Sequence, residues 1–416
     1  IGVSGQPYNQ SNPSGGNTPP TAGQTSNGIT SISNLAGAFP TPVVANTPWQ
    51  STFGGFTNDP RYTDVRSQQW NLNMEHQFGR TMMLSLAYVG SKSTRLDWSG
   101  KANEARFPSP SVNDPVTTTP FGVITCGPVG SATNTAACKT AYLQQIDLLK
   151  AVPWANSNWT YSQSNGYANY NSFQASLQRR FSNGLQGLVS YTWSKCLTTS
   201  SGYFNVENGA GTGGAVVQSF YNKNLSYGPC GYDIPHFLTI STVYELPFGQ
   251  GKAHLNHGIL SWILGNWETN MVFQGRTGQN FNLSVSGDPA NLSGDNGSIS
   301  NYSRPNVVPG TPILPAHQTA AQWYNPAAFS VPDGTFGNFG VGVLHDQNFY
   351  NVDFSLIKNF RITEGKSLQL RFEGFNVLNL QILGTPSASI NGGSAGVITS
   401  LASTPRQLQI AAKFTF

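Results

Sequence analysis

From Arg406 the chain ends Arg-Gln-Leu-Gln-Ile-Ala-Ala-Lys-Phe-Thr-Phe. Leu408, Ile410, Ala412, Phe414 and Phe416 share one parity, and Gln407, Gln409, Ala411, Lys413 and Thr415 the other. Successive strand side chains point to opposite faces, so this segment presents one apolar and one polar face. The pattern recurs upstream. Trp70, Leu72, Met74, His76 and Phe78 alternate with polar residues, and Met82, Leu84, Leu86 and Tyr88 follow after Phe-Gly-Arg. Phe173, Ala175, Leu177 and Phe181 lead through Ser182-Asn183-Gly184 to Leu185, Gly187, Val189, Tyr191 and Trp193. Further sets are Leu238, Ile240, Thr242, Tyr244, Leu246; Trp267, Thr269, Met271, Phe273; Val352, Phe354, Leu356, Phe360; and Leu368, Leu370, Phe372. The pattern predicts an all-β, antiparallel chain of about nine strands.

Two environments suit such strands. One is a half-buried sandwich in water; the other is a transmembrane barrel wall with its apolar face to lipid and its polar face to a wet lumen. The connections separate them. Short turns fall at Phe78–Arg80, Ser182–Gly184 and Thr363–Lys366, with a medium one from Pro247 to Ser261. Between them run long connections over Ser91–Ala168, Cys196–Asp233, Leu283–Gln347 and Gln381–Pro405. Loops of that length are unusual inside a compact soluble domain. Short periplasmic turns and long extracellular loops are the expected asymmetry of an outer-membrane barrel. Counting back from Phe416 places every short turn at one end and every long loop at the other.

Composition agrees. Only 10% of the 416 residues are charged, against 12% aromatics, and Gly (45) and Pro (26) are over-represented. That is too little charge for an unfolded chain and the wrong mixture for a helical bundle. A net charge of +4 without a Lys/Arg cluster gives no nucleic-acid surface. The polar parities hold mostly Asn, Gln, Ser and Thr, as a crowded aqueous lumen allows. Trp70, Phe78, Tyr88, Phe181, Trp193, Trp267, Phe360, Phe414 and Phe416 lie near strand ends, where aromatic girdles meet lipid headgroups.

Several stretches, in order, resemble a known family: Gln68-Gln69-Trp70-Asn71-Leu72 with Ala87-Tyr88-Val89-Gly90-Ser91, Tyr170-Asn171-Ser172-Phe173 through Arg179-Arg180-Phe181, and Ser190-Tyr191-Thr192-Trp193-Ser194-Lys195. Tyr244-Glu245-Leu246-Pro247-Phe248-Gly249, Arg304-Pro305-Asn306, Trp323-Tyr324-Asn325-Pro326-Ala327-Ala328-Phe329 and Gly334-Thr335-Phe336-Gly337-Asn338 continue the series. Asn351-Val352-Asp353-Phe354-Ser355-Leu356 and Arg371-Phe372-Glu373-Gly374-Phe375-Asn376-Val377-Leu378-Asn379 complete it. From about Asp59 to Phe416 the chain resembles the C-terminal part of TonB-dependent outer-membrane receptors, in particular the Oar-like type with an N-terminal carboxypeptidase-regulatory-like domain. The resemblance implies a barrel of about 22 strands, an N-terminal plug, and energy supplied through the TonB complex. The expectation is a truncated sequence whose residues 1–58 are the remainder of an extracellular loop and whose residues 59–416 are barrel; Ile1 is not a start methionine and no leader pattern precedes the first strand. The plug and remaining barrel strands of the same protein, TonB through the plug, outer-membrane lipid and an unidentified bulky solute are then its partners. A non-transporting surface or adhesion protein and a passive porin are the alternatives.

Candidate chemistry is sparse. The lumen-facing charges Glu75, Arg180, Glu268, Arg276, Asp353, Arg371 and Glu373 either contact the plug or solute, or pair with one another across strands. Phe414 and Phe416 resemble the C-terminal signal read by the barrel-assembly machinery, and Phe416 also suits an interfacial anchor. Cys126, Cys138, Cys196 and Cys230 fall in predicted outer loops, in an oxidising compartment; of three possible pairings, Cys126–Cys138 with Cys196–Cys230 is preferred. Gly209-Ala-Gly211-Thr-Gly213-Gly214 fits a dinucleotide expression but has neither the strand nor the helix that site requires. His254 and His257, beside Lys252, lie in the medium turn without an acidic or Cys partner, in a solvated or headgroup-facing setting. No hydrolase elbow or zinc-protease motif occurs, so neither enzyme, metal nor cofactor is expected.

Overall fold

A computed structural model describes residues 55–104, 137, 150, 159–199, 217–249, 251–255, 257–286, 303–332, 336–363 and 365–416. Nine long strands cross the molecule: β1 (Arg66–Phe78), β2 (Met82–Lys101), β3 (Trp159–Ser182), β4 (Leu185–Thr198), β5 (His236–Glu245), β6 (Trp267–Arg276), β7 (Phe349–Thr363), β8 (Lys366–Phe375) and β9 (Gln407–Thr415). Each pairs antiparallel with its sequence neighbours, so the nine form one continuous meander from β1 to β9. The β3–β4 turn shows how tight the short end is. Asn183 and Gly184 both have positive φ, +52° and +80°, as a two-residue hairpin of right-handed twist requires.

Register sorts the faces. One row across the wall is His76, Leu84, Leu177, Val189, Ile240, Phe273 and Val352. The adjacent row is Glu75, Ser85, Ser176, Ser190, Thr239, Gln274 and Asn351. One step along the pleat therefore exchanges hydrocarbon for hydrogen-bonding groups in most of the strands at once. The apolar face is not covered by protein: Phe173, Leu177, Trp193, Phe354, Phe372 and Ile410 are all exposed. Most of the buried hydrophobic residues lie among the long connections instead, around Phe281, Trp323, Tyr324 and Phe329. A sandwich would bury one sheet face beneath a second layer; this sheet leaves its greasy side bare.

The wall is open among the described residues. β1 pairs only with β2 and β9 only with β8, and β1 is exposed along its whole length. β9 is exposed at every position but one.

Three features depart from the sequence expectation. β2 runs on to Lys101 and β3 begins at Trp159, so Ser91–Lys101 and Trp159–Ala168, expected as loop, are ladder. Beyond the membrane a strand has no lipid face and can pack against the connections, as Trp98 does, so it need not alternate, which hides it from a period-two reading. Gly55–Asn58, expected in a loop, pairs parallel with Trp159–Ser162. The medium turn contains a helix, α1 (Gly258–Leu264). Cys126 and Cys138, Gly209–Gly214 and nearly all of residues 1–58 lie outside the described residues.

If the bare face meets lipid, Ile240→Arg should lower the folding free energy of the reconstituted protein by about 2–4 kcal/mol. Thr239→Arg, one residue away on the polar face, should leave it nearly unchanged. Urea titration in lipid vesicles measures both, and equal effects would contradict the assignment of faces.

Candidate functional site

The polar face carries the predicted charges, distributed over its height. Glu75 takes a 3.0 Å hydrogen bond from Asn73 Nδ2. Arg180 is exposed near the short-turn end, its backbone N–H donating to Thr81 O at 2.8 Å. Arg276, at the long-loop end, lies 5.0 Å from the centroid of the Phe349 ring. Asp353 accepts from Asn351 Nδ2 and from the backbone N–H of Asn376, both at 2.9 Å, and so holds the start of the β8–β9 connection. Arg371 Nε donates to Gln369 Oε1 at 2.7 Å, and Glu373 sits between Ser355 and Gln409. Among the described residues none of the seven forms an ion pair. The reason is register: Glu268 and Arg371 share a row, but Ile357 of the intervening strand separates them. Cross-strand pairing among these charges, one of the two expectations, is therefore not what the structure shows.

The short-turn mouth gathers Glu245, Lys252, Glu268 and Arg361. Glu268 stands directly opposite Glu245, an arrangement that destabilises a ladder unless it is compensated. Lys252, reaching back from the turn, makes a salt bridge to Glu245 Oε2. Asn359, Arg361 and Ser367 complete a cavity of about 280 Å³ around this group.

At the opposite end the long connections form a cap. The β6–β7 and β8–β9 connections share a core of Phe281, Leu283, Trp323, Tyr324, Phe329, Phe339, Leu344 and Ile398. Backbone bonds from Trp323 N to Gly396 O (2.8 Å) and from Ile398 N to Ala320 O (2.7 Å) tie them together. Tyr324 OH donates to Ser387 O at 2.9 Å, and burial pushes its phenol up to about 12. The β4–β5 connection joins through Gln218 Nε2 to Gly337 O (3.0 Å) and Asn280 Nδ2 to Cys230 O (2.8 Å). Trp98, at the top of β2, donates to Phe220 O at 3.0 Å and packs with Val217. Ser219 Oγ donates to Glu104 Oε1 at 2.5 Å, so the described start of the β2–β3 connection is linked to the other three.

Cys196 and Cys230 are joined by a disulfide across a Cα–Cα distance of 5.4 Å. Beside them the nearly inaccessible Asp233 accepts from the Cys196 backbone N–H at 2.7 Å and pairs with Lys195 at 3.2 Å. Trp159–Tyr161, within the connection expected over Ser91–Ala168, is part of β3. On the side of the cap nearest the wall, Leu314, Gln318, Val343, Asp346 and Tyr350 line a cavity of about 470 Å³. Asp346 Oδ2 accepts from Thr385 Oγ1 at 2.9 Å, while Oδ1 is buried with no partner. Desolvation raises the pKa of this carboxyl above its ordinary 3.8.

Sequence reasoning missed Asp346, whose burial depends on contacts between distant loops. It also passed over Lys358. Lys358 falls on the parity of Leu356 and Phe360, faces Trp267 and Leu370 across the ladders, and is only 1% exposed. A lysine on an apolar parity was itself a readable signal.

A family model described as an outer membrane beta barrel domain matches residues 1–409. The chain belongs to that family. As an outer membrane beta barrel domain it resides in the outer membrane, with the exposed apolar face to lipid and the cap at the extracellular end. No curated protein matches the chain. Among solved structures it is similar to the outer membrane transporter YddB of Escherichia coli, at 9% identity and a TM-score of 0.39, covering 88% of this chain and 34% of that one. It is similar also to the ferripyoverdine receptor of Pseudomonas aeruginosa, at 12% identity and a TM-score of 0.35, covering 86% and 29%. A third is the ferric-catecholate import receptor Fiu of E. coli K12, at 8% identity and a TM-score of 0.35, covering 91% and 30%. The chain spans about a third of the length of these proteins.

The Asp346 carboxyl gives the cap a pH signature. With its folded pKa raised, its contribution to stability is complete below 3.8 and is lost as pH rises through the folded value. Asp346→Asn should therefore slow hydrogen exchange in residues 279–281 and 344–346 at neutral pH and leave it unchanged below pH 3.8. Faster exchange in the variant at neutral pH would contradict the burial argument.

Proposed function

We propose that this domain is the C-terminal part of the wall of a TonB-dependent receptor of the Oar-like type, which takes up a bulky solute across the outer membrane. The observation that carries the reading is a wall with its faces already sorted between lipid and water but with both edges unpaired among the described residues. In hydrocarbon an unpaired strand edge is untenable, so the ladders must be closed by further strands. A barrel of the size that the family resemblance implies encloses a lumen that a plug can fill. In this reading the charges Glu268, Arg276, Asp353, Arg371 and Glu373, not paired with one another, contact the plug or the passing solute. The TonB complex engages the plug, and Phe414 and Phe416, whose rings stack 6.1 Å apart at the exposed C-terminus, are recognised by the barrel-assembly machinery. No catalytic step, metal or cofactor belongs to this reading.

The linked cap favours one competing function, a surface protein that binds a partner and transports nothing. Accumulation of labelled ferric chelates, cobalamin, oligosaccharides and peptides in cells with and without the gene separates the two. The transporter reading expects uptake of one class to depend on the gene and to stop when the proton-motive force is dissipated. Gene-dependent uptake that survives the uncoupler would instead identify a passive pore, and unchanged uptake of every class would favour the adhesin.

A further inference from the structure

Helix α1 occupies an unusual place in the wall. It lies in the β5–β6 turn, at the periplasmic end. Its C-terminal carbonyls are held by a residue of the outward face: Lys358 Nζ donates to Trp262 O at 2.8 Å and to Gly265 O. A cation at a helix C-terminus meets the negative end of the dipole, and here it satisfies carbonyls that would otherwise lack partners. The same ammonium lies 5.5 Å from the Trp267 ring centroid and 4.9 Å from that of Phe360, and the Trp262 ring packs 5.0 Å from Phe360. Trp267, Lys358 and Phe360 share the lipid-facing parity, so α1 rests on the outside of the barrel rather than beneath its lumen.

The backbone is shaped to allow this. Gly265 passes so close to Gly249 that a Cβ on it would fall 2.3 Å from the Gly249 Cα and equally close to Ser261 O. Only a glycine at this position lets the helix end fold back onto the start of the turn.

What α1 presents outward is wholly apolar. Ile259 is 78% exposed, and Leu260, Trp262, Ile263 and Leu264 are each about half exposed or more. Ser261, the one polar side chain of the helix, is turned inward and buried. A cluster of large apolar groups on one turn-and-a-half of helix is a liability in water and marks a contact surface. It is continuous with the lipid-facing side of the wall and lies at its headgroup end.

We infer that α1 is an interfacial helix seated in the phospholipid of the periplasmic leaflet, at the boundary between headgroups and acyl chains. Ile259, Leu260, Ile263 and Leu264 enter the chain region, and Trp262 sits at the headgroup level that indole rings favour. Lys358 pins this collar to the strand, so that the helix sets the depth of the barrel in the bilayer. The assignment rests on the outer-membrane location and not on transport.

The test uses protein purified from outer membranes, carrying Cys126→Ser, Cys138→Ser and Ile259→Cys, labelled with an environment-sensitive fluorophore without reductant and reconstituted in phosphatidylethanolamine–phosphatidylglycerol vesicles. Ile240→Cys serves as the mid-bilayer reference. Nitroxide lipids labelled near the headgroup should quench the Ile259 position several-fold more than lipids labelled near the chain terminus, with the order reversed at Ile240 and aqueous iodide weak at both. Quenching of the Ile259 position by iodide alone would place α1 in water and overturn the inference. Protection from both quenchers would show a covering protein and would equally overturn it, and preferential quenching by the deep label would remove the interfacial placement. Conservative replacement by Cys spares the Lys358 contacts, so a folded sample is expected in every arm.

Discussion

A backbone that crosses hydrocarbon has no water to receive its N–H and C=O groups, so every ladder must be complete and every side chain must choose a solvent by parity. Most of the architecture follows from that constraint. The row from His76 to Val352 and the row from Glu75 to Asn351 are neighbours along the pleat, yet one belongs largely to lipid and the other to water. A slip of one residue in any ladder would exchange the two. Tight turns such as Asn183-Gly184 keep the register at the periplasmic end.

Freed from alternation, the extracellular end is organised differently. There the connections build their own core around Trp323, Tyr324 and Phe329. They are fastened by side chains that reach between loops, such as Asn280 to the Cys230 carbonyl and Gln218 to Gly337. The disulfide Cys196–Cys230 and the buried Asp233 beside it tie one of those loops to the top of β4. The periplasmic end carries a different device, a helix whose carbonyls are clasped by an outward lysine. The wall between is regular because hydrocarbon permits little else.

How much of this could be read from sequence follows the same division. The membrane-spanning parts of all nine strands were legible, since lipid enforces a period of two, as in Leu408–Phe416. Ser91–Lys101 was not, because beyond the membrane no lipid face enforces alternation and residues such as Trp98 pack against the connections instead. α1 was missed for the opposite reason: in Gly-Ile-Leu-Ser-Trp-Ile-Leu the apolar residues are nearly continuous, and so short a run has no visible helical period. The seven charges fall on the parity of Gln274 and Asn351, but their partners were not foreseeable. Whether Arg371 meets Glu268 depends on Ile357 lying between them, which only the register reveals. The cap could not be anticipated at all, since its bonds join residues of separate loops, as in Arg304 N–H to Gln218 Oε1 at 3.0 Å.

The central claim is that one face of this sheet meets lipid and the other meets water. Nitroxide scanning of β5, residues 237–244, in the reconstituted protein measures it most directly, through collision rates with molecular oxygen and with a nickel chelate. The account predicts a strict period of two, with oxygen favoured at Leu238, Ile240, Thr242 and Tyr244 and nickel favoured at the residues between them. Equal nickel access at both parities, or protection of both from oxygen, would mean that the apolar face does not contact hydrocarbon, and the account would fail.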